Sequence, residues 1–389
     1  MSSTGSHRAP TLAVVGGGQL ARMMAQPAIA LGLPLRLLAE AEGVSAAQVI
    51  PDHIVGDYTD LPTLRRVTAG ARVVTFDHEH VPTEHLHALE DDGLAVRPGP
   101  GALVHAQDKA VMRRRLAELD VPCPRNAVVT STADVEAFGL PCVLKTTRGG
   151  YDGKGVWVVR ALDEAQVAFD AAAEAGVQVL AEELVDFRRE LSALVARSPS
   201  GQAAAYPVVT STQLDGICHE VIAPAPDLAP ALAGEAQEIA LRVAGALDVT
   251  GILAVELFET TDGRILVNEL AMRPHNTGHW TQDGAVTSQF ENHLRAVMDL
   301  PLGSPAPRNR WTVMVNILGG PTDSGHLYDG LPHAMARDPH LRVHLYGKDL
   351  RPGRKVGHVN AYGDDLEDCL ERARHAAAWF RGDLGDESE

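Results

Sequence analysis

The sequence predicts a mixed chain: an α/β domain with a parallel sheet at its N-terminus, followed by α+β structure built from antiparallel hairpins. Three observations carry this prediction. Residues 11–39 read as strand, glycine turn, helix, strand, which is a βαβ unit. From residue 126 onward the apolar runs instead pair off across short turns. The length of 389 residues, at about 150 residues per domain, implies two to three domains.

Taken in order, TLAVVG (11–16) is a short buried strand, QLARMMAQPAIAL (19–31) a helix, and PLRLLA (34–39) and VVTF (73–76) further strands. Residues 104–119 read as one helix rich in Arg and Glu, broken by the prolines of VPCPR (121–125), with the first domain boundary near 105. PCVLKTT (141–147) and VWVVR (156–160) flank a glycine-rich stretch; VQVLAE (177–182) and ELSALVAR (190–197) continue the strands, with helices near 162–175 and 233–248. GILAVELF (251–258) and RILVNEL (264–270) form a hairpin, 285–299 is a helix, and PLGSPAPRNR (301–310) is a Pro-rich joint. Short strands run to about 363, and a helix over 365–381 precedes an acidic tail. The predicted domains are 1–105, with 1–10 a disordered arm; 106–190; and 191–389, with a small C-terminal extension over 301–389.

Lys and Arg number 34 and Asp and Glu 51, so the net charge is 34 − 51 = −17. That balance excludes a general nucleic-acid binder and an anionic membrane surface as partners. It leaves small anions open, because a pocket needs only a few local cations. Cys123, Cys142, Cys218 and Cys369 lie far apart with no C-x-x-C pair, which reads as reduced thiols. The uncharged run between Arg22 and Arg36 is too short to span a bilayer, and Met1–Pro10 lacks the apolar core of a signal peptide. The expected compartment is the cytoplasm.

Five segments carry chemistry. Gly16-Gly17-Gly18-Gln19-Leu20-Ala21 fits G-x-G-x-x-A between strand and helix. It serves a phosphate, a dinucleotide with Glu40 on its ribose, or tight packing alone. Arg148–Gly155 holds four glycines and Lys154 between two strands. It lacks the P-loop pattern and reads as a lid whose N–H groups close over a triphosphate. Lys145 beside it is either an edge gatekeeper or a phosphate ligand. Glu256 and Glu269 flank Asp262-Gly263. With those two residues as a type I′ turn, paired positions sum to 525, so the carboxylates face each other with Cβ atoms ~5 Å apart. Such a pair repels: it either takes a hard divalent cation between its carboxylates, with Asn268 as a further oxygen ligand, or lies on a solvated sheet face with one carboxyl shifted in pKa. Arg273-Pro274-His275-Asn276 offers a clamp for a small oxyanion, and Arg351, Arg354 and Lys355 form a cationic turn. His78-Glu79-His80 is a weaker metal candidate, and Arg113-Arg114-Arg115 reads as a solvated helix side.

A glycine lid between strands, a strand lysine and hairpin carboxylates together resemble the ATP-grasp superfamily. GGGQLARM (16–23), GGYDGKG (149–155), EELV (182–185), NEL (268–270), RPHNTGHWTQDGA (273–285) and RPGRKVGHVN (351–360) resemble the N5-carboxyaminoimidazole ribonucleotide synthetase family within it. The resemblance covers residues 11–363. It implies an ATP-grasp architecture, with a Rossmann-like (preATP-grasp) βαβ domain, a central lid domain and a C-terminal domain. It implies a cytoplasmic homodimeric ligase of purine biosynthesis that uses ATP, bicarbonate and aminoimidazole ribonucleotide with Mg²⁺, or Mn²⁺ in its place. By the same resemblance, ATP is held by Lys109, Lys145, Gly150, Tyr151, Asp152, Gly153, Lys154, Gly155, Val156, Glu190, Gln213, Asn268 and Glu269, with Glu182, Glu183, Leu184 and Val185 as the adenine hinge. Glu256 and Glu269 hold the metal. Gly18, Gln19, Leu20, Glu79, Tyr151, Asp152, Arg273, Arg351, Arg354 and Lys355 surround the ribonucleotide. Asp152, Arg273, His275, Asn276 and Lys355 carry the chemistry. Ala21, Met272 and Gln213 depart from a common glycine, proline and histidine of the family. The alternatives are another ATP-grasp carboxylase or formyl transferase acting on a different amine, an NAD-dependent oxidoreductase built on the first glycine turn, and a nucleotide-sensing module without catalysis.

Overall fold

Apolar runs in the first hundred residues form a five-stranded parallel sheet in the order His53–Val55, Leu35–Ala39, Leu12–Val15, Val73–Phe76, Ala95–Val96. The computed structural model describes residues 9–150, 153–214, 216–320 and 327–384. The central strand Leu12–Val15 is wholly buried, as a parallel strand covered on both faces must be. Helix Gln19–Leu31 follows it and ends at Gly32, whose φ of 64° supplies the left-handed cap. This helix buries Leu20, Met23 and Met24 in one cluster with Phe290, Leu294 and Val297 of helix Gln289–Val297. The N-terminal domain is therefore seated on the rest of the chain through a shared apolar core.

The residues predicted as one helix over 104–119 form two, Pro100–Gln107 and Lys109–Glu118. Asp108 makes the break: its backbone is extended, and its carboxylate accepts from the N–H groups of Ala110 and Val111. Antiparallel pairing then takes over. Asn126–Val129, Val179–Glu183, Cys142–Thr146 and Val156–Val159 form a four-stranded sheet in that order. The glycine-rich stretch joins its last two strands. Lys145 thus lies on an interior strand, which removes the edge-gatekeeper reading.

A nine-stranded sheet carries the rest of the described chain, running from Ile265–Ala271 through Gly251–Thr260, Phe187–Arg197, Val209–Leu214, Ile217–Ala223, Trp311–Leu318 and Lys355–Gly363 to Arg342–Leu345. The short strand Ala203–Ala205 pairs beside Phe187–Arg197. The last three strands of that path come from the C-terminal extension, so one continuous hydrogen-bonded sheet crosses the Pro-rich segment 301–310. Helix Leu366–Arg381 covers this end. Among the described residues no helix is long and apolar enough to cross a membrane.

Candidate active site

A cleft of about 1360 Å³ opens where the three sheets meet. The four-stranded sheet walls one side, the Glu256/Glu269 hairpin forms the floor, and Gln19 and Glu79 approach from the N-terminal domain.

The floor reaches its predicted register by a different route. The turn has three residues, Thr261-Asp262-Gly263, with Gly263 at φ 82° and Thr260 pairing with Arg264. Near this turn paired residues sum to 524, as in Leu257 with Val267. A β-bulge at Asn268 adds one residue, so Glu256 faces Glu269 after all. The predicted two-residue turn was wrong, and the bulge compensates for it. Ser192 lies opposite Glu256 and Glu190 opposite Phe258, so Glu190 shares this face. Burial, and then the Glu256 charge, push the Glu190 carboxyl up to about 7. Burial alone would raise Glu256 too, but the hydrogen bond from His275 holds it below the usual carboxylate range. His275 Nε2 stands 3.1 Å from a Glu256 oxygen, and the Lys109 ammonium contacts Glu269 at 2.5 Å. Facing oxygen donors compensated by an ammonium and an imidazole fit a hard divalent cation such as Mg²⁺.

Lys145 lies 2.7 Å from Glu182 and donates to Asn268 Oδ1 at 3.1 Å. Glu182, 2% exposed, also pairs with Arg113 at 2.5 Å. Burial would raise its carboxyl, but the Arg113 and Lys145 cations hold it down to about 2. Arg113 is therefore buried, contrary to the solvated side expected for Arg113–Arg115. The Glu182 side chain is committed to these two cations, and Glu183, Leu184 and Val185 follow it at the end of the strand. All four residues line the cleft. Phe187 and Phe258 stack with centroids 4.8 Å apart and line the same region, an apolar surface suited to a purine that the sequence reading did not single out. Gln213 lines the wall and donates to Ser211. Gly150, Gly153, Lys154 and Val156 line the mouth, while Gly155 packs against Thr146. Tyr151 and Asp152 lie outside the described residues.

At the other end, Arg273 Nε donates to Glu79 at 3.2 Å, and the second Glu79 oxygen accepts from Met272 N–H at 2.6 Å. Glu79 thus orients Arg273. His275 Nδ1 lies 2.8 Å from Thr277 Oγ1, which is 2.7 Å from Ser192 Oγ, and Gln289 bonds both backbone groups of His275. These contacts fix the ring against Glu256. The side-chain nitrogen of Asn276 is buried with no hydrogen-bond partner among the described residues, and Asn276 lines the cleft, where that N–H group can donate to an anionic oxygen.

The glycine turn does not present its amides to a ligand. Gly17 N–H donates to Glu40, while Gly18 and Ala21 N–H donate to the two oxygens of Asp77. A Cβ on Gly18 would lie 2.1 Å from Asp77 Oδ2. The protein's own carboxylate takes the place of a phosphate at this helix N-terminus, so the dinucleotide reading, with Glu40 on a ribose, fails. Burial pushes Asp77 up to about 6. What the turn delivers to the cleft is Gln19 and Leu20. Gln19 accepts from Lys348, a residue the sequence reading passed over. Lys355 lines the cleft; Arg351 and Arg354 do not. The His78 and His80 rings stack on each other, and Glu79 turns to Arg273, so the triplet does not converge on one point.

Residues 10–107 match the ribonucleotide synthetase preATP-grasp domain, 114–290 the ATP-grasp domain, and 312–372 the phosphoribosylaminoimidazole carboxylase C-terminal domain. The N5-carboxyaminoimidazole ribonucleotide synthase of Mycobacterium tuberculosis is 57% identical over 377 residues, covering 96% of this chain and 88% of that protein. The crystal structure of the Thermus thermophilus synthetase shares 38% identity with a TM-score of 0.84, covering 97% of this chain and all of that one. The Aspergillus clavatus synthase in complex with ADP and aminoimidazole ribonucleotide superposes with a TM-score of 0.88 at 29% identity, covering 96% of this chain and 99% of that one.

Proposed function

The chain belongs to the N5-carboxyaminoimidazole ribonucleotide synthase family of ATP-grasp ligases, and from that premise we propose how its cleft carries out the family's reaction. The protein is an ATP-dependent ligase that carboxylates 5-aminoimidazole ribonucleotide in purine biosynthesis. Adenine rests between the hinge 182–185 and the Phe187–Phe258 stack, and Lys109, Lys145 and the lid Gly150–Val156 receive the phosphates. Glu256 and Glu269 would hold Mg²⁺, which neutralises charge on the phosphates when bound. The observation that carries this arrangement is the facing Glu256–Glu269 pair, with Lys109 on Glu269 and His275 on Glu256, in a cleft that Lys145, Arg273 and Asn276 also line.

Bicarbonate is a poor electrophile. Held by Arg273, His275 and Asn276, its oxygen attacks the γ-phosphorus of ATP, the bond to ADP breaks, and carboxyphosphate forms. Closure of the lid excludes water from this labile product. The exocyclic amine of the ribonucleotide then attacks the carboxyl carbon, phosphate leaves, and the amine proton passes to a base; the family resemblance gives that role to Asp152. Gln19, Glu79 and Lys355 approach the ribonucleotide, with Arg351 and Arg354 as outer cations. Residence in the cytoplasm and a homodimeric state complete the proposal and rest on family membership. The test is ADP release with bicarbonate, measured with and without aminoimidazole ribonucleotide. Strong stimulation is expected; equal rates would point to a different amine acceptor.

A further inference from the structure

Arg113 lines no part of the cleft, yet its guanidinium touches three parts of the machinery around it. It lies on helix Lys109–Glu118 with 2% of its surface exposed. Nε donates to Glu182, NH1 to the carbonyl of Val267 at 2.8 Å, and NH2 to the carbonyl of Asn268 at 2.7 Å. Those two carbonyls belong to the irregular step of strand Ile265–Ala271. On the turn side Leu257 faces Val267; on the other side Glu256 faces Glu269, with Asn268 as the extra residue. Had the first register continued, Asn268 would face Glu256, and Glu269 would turn to the opposite side of the sheet. The bulge therefore brings Glu269 into the cleft, and Arg113 grips both of its carbonyls.

We propose that Arg113 is a positioning residue for the metal-binding carboxylate: its planar fork fixes the bulge at Asn268 and so holds Glu269 opposite Glu256. This rests on the reading of Glu256 and Glu269 as metal ligands. The same guanidinium also sets a phosphate lysine, because the Glu182 oxygens are divided between Arg113 and Lys145. One buried cation thus ties the four-stranded sheet to the hairpin. Lysine at this position keeps the charge against Glu182 but offers a single nitrogen, which cannot serve three acceptors in a fork geometry.

The experiment uses the full chain with Mn²⁺ as the probe, titrated in the presence of ADP and followed by electron paramagnetic resonance. Thermal unfolding and calorimetric binding of aminoimidazole ribonucleotide serve as controls. Arg113→Lys is expected to raise the Mn²⁺ dissociation constant at least tenfold while ribonucleotide affinity stays within twofold, a split that general loosening of the fold would not give. If the lysine variant does not fold, Arg113→Gln with Glu182→Gln removes the buried pair together and is expected to show the same weakened Mn²⁺ binding. Wild-type Mn²⁺ affinity in a folded Arg113 variant overturns the proposal alone. Glu269→Gln run alongside separates the cases: wild-type Mn²⁺ affinity in that variant overturns the metal reading, and this proposal with it.

Discussion

Replacing Glu182 by Gln removes a negative charge that two buried cations share. The magnitude follows from how far the two cations hold the carboxyl below its ordinary value. Its ordinary value is 4.5 and in the folded chain it is held at about 2. At about 1.4 kcal/mol per pH unit, that difference corresponds to roughly 3 kcal/mol of stability. Removing one partner of a buried ion pair independently costs about 3–5 kcal/mol, since Arg113 and Lys145 are left under-compensated. Glutamine keeps some hydrogen bonding, so the expected loss is roughly 3 kcal/mol at pH 7, read by urea denaturation with paired wild-type curves. The sign with pH is fixed: folding lowers this carboxyl's pKa, so its stabilisation is complete above about pH 5 and is lost as pH falls toward 2. The difference between wild type and variant should therefore shrink steadily on acidification. A loss below about 1 kcal/mol at pH 7, or a difference that does not change between pH 5 and 3, would show that the buried carboxylate does not stabilise the fold through Arg113 and Lys145.

Other expectations concern the cleft directly. Glu269→Gln should lower kcat for ATP turnover at least a hundredfold with the thermal unfolding midpoint little changed; unchanged turnover would remove the metal role. Gly18→Ala sets a methyl 2.1 Å from Asp77 Oδ2, so the turn bearing Gln19 must shift; KM for aminoimidazole ribonucleotide should rise at least tenfold with KM for ATP near wild type, and equal rises in both would argue for general damage. Phe258→Ala removes half of the ring stack; KM for ATP should rise about fivefold, matching the roughly 1 kcal/mol of an aromatic contact, while bicarbonate dependence is unaltered.

What could be read from the sequence was whatever local pattern controls. The largely apolar runs at 12–15, 35–39 and 73–76 gave the parallel sheet because strands covered on both faces hold few polar residues. The facing carboxylates were found through a turn assignment one residue too short, rescued by a bulge whose only local sign is Asn268 within an apolar strand. The break at Asp108 did leave a signal, since an Asp before a new helical run is a natural N-cap. Arg113 left none. Three consecutive arginines look alike, and its burial depends on Glu182, 69 residues away, and on carbonyls of the far hairpin. The glycine turn shows the same limit: whether its amides meet a phosphate or the protein's own Asp77 is decided by a residue 59 positions from Gly18.

The enzyme spends ATP to place a bicarbonate carbon on the exocyclic amine of aminoimidazole ribonucleotide. Carbon-13 NMR with labelled bicarbonate, ATP and the ribonucleotide tests it most directly. A labelled carbamate carbon coupled to the exocyclic nitrogen of a nitrogen-15-labelled substrate is expected, formed with one ADP and one phosphate. ADP release without that carbamate, or label bonded to a ring carbon instead, would contradict it.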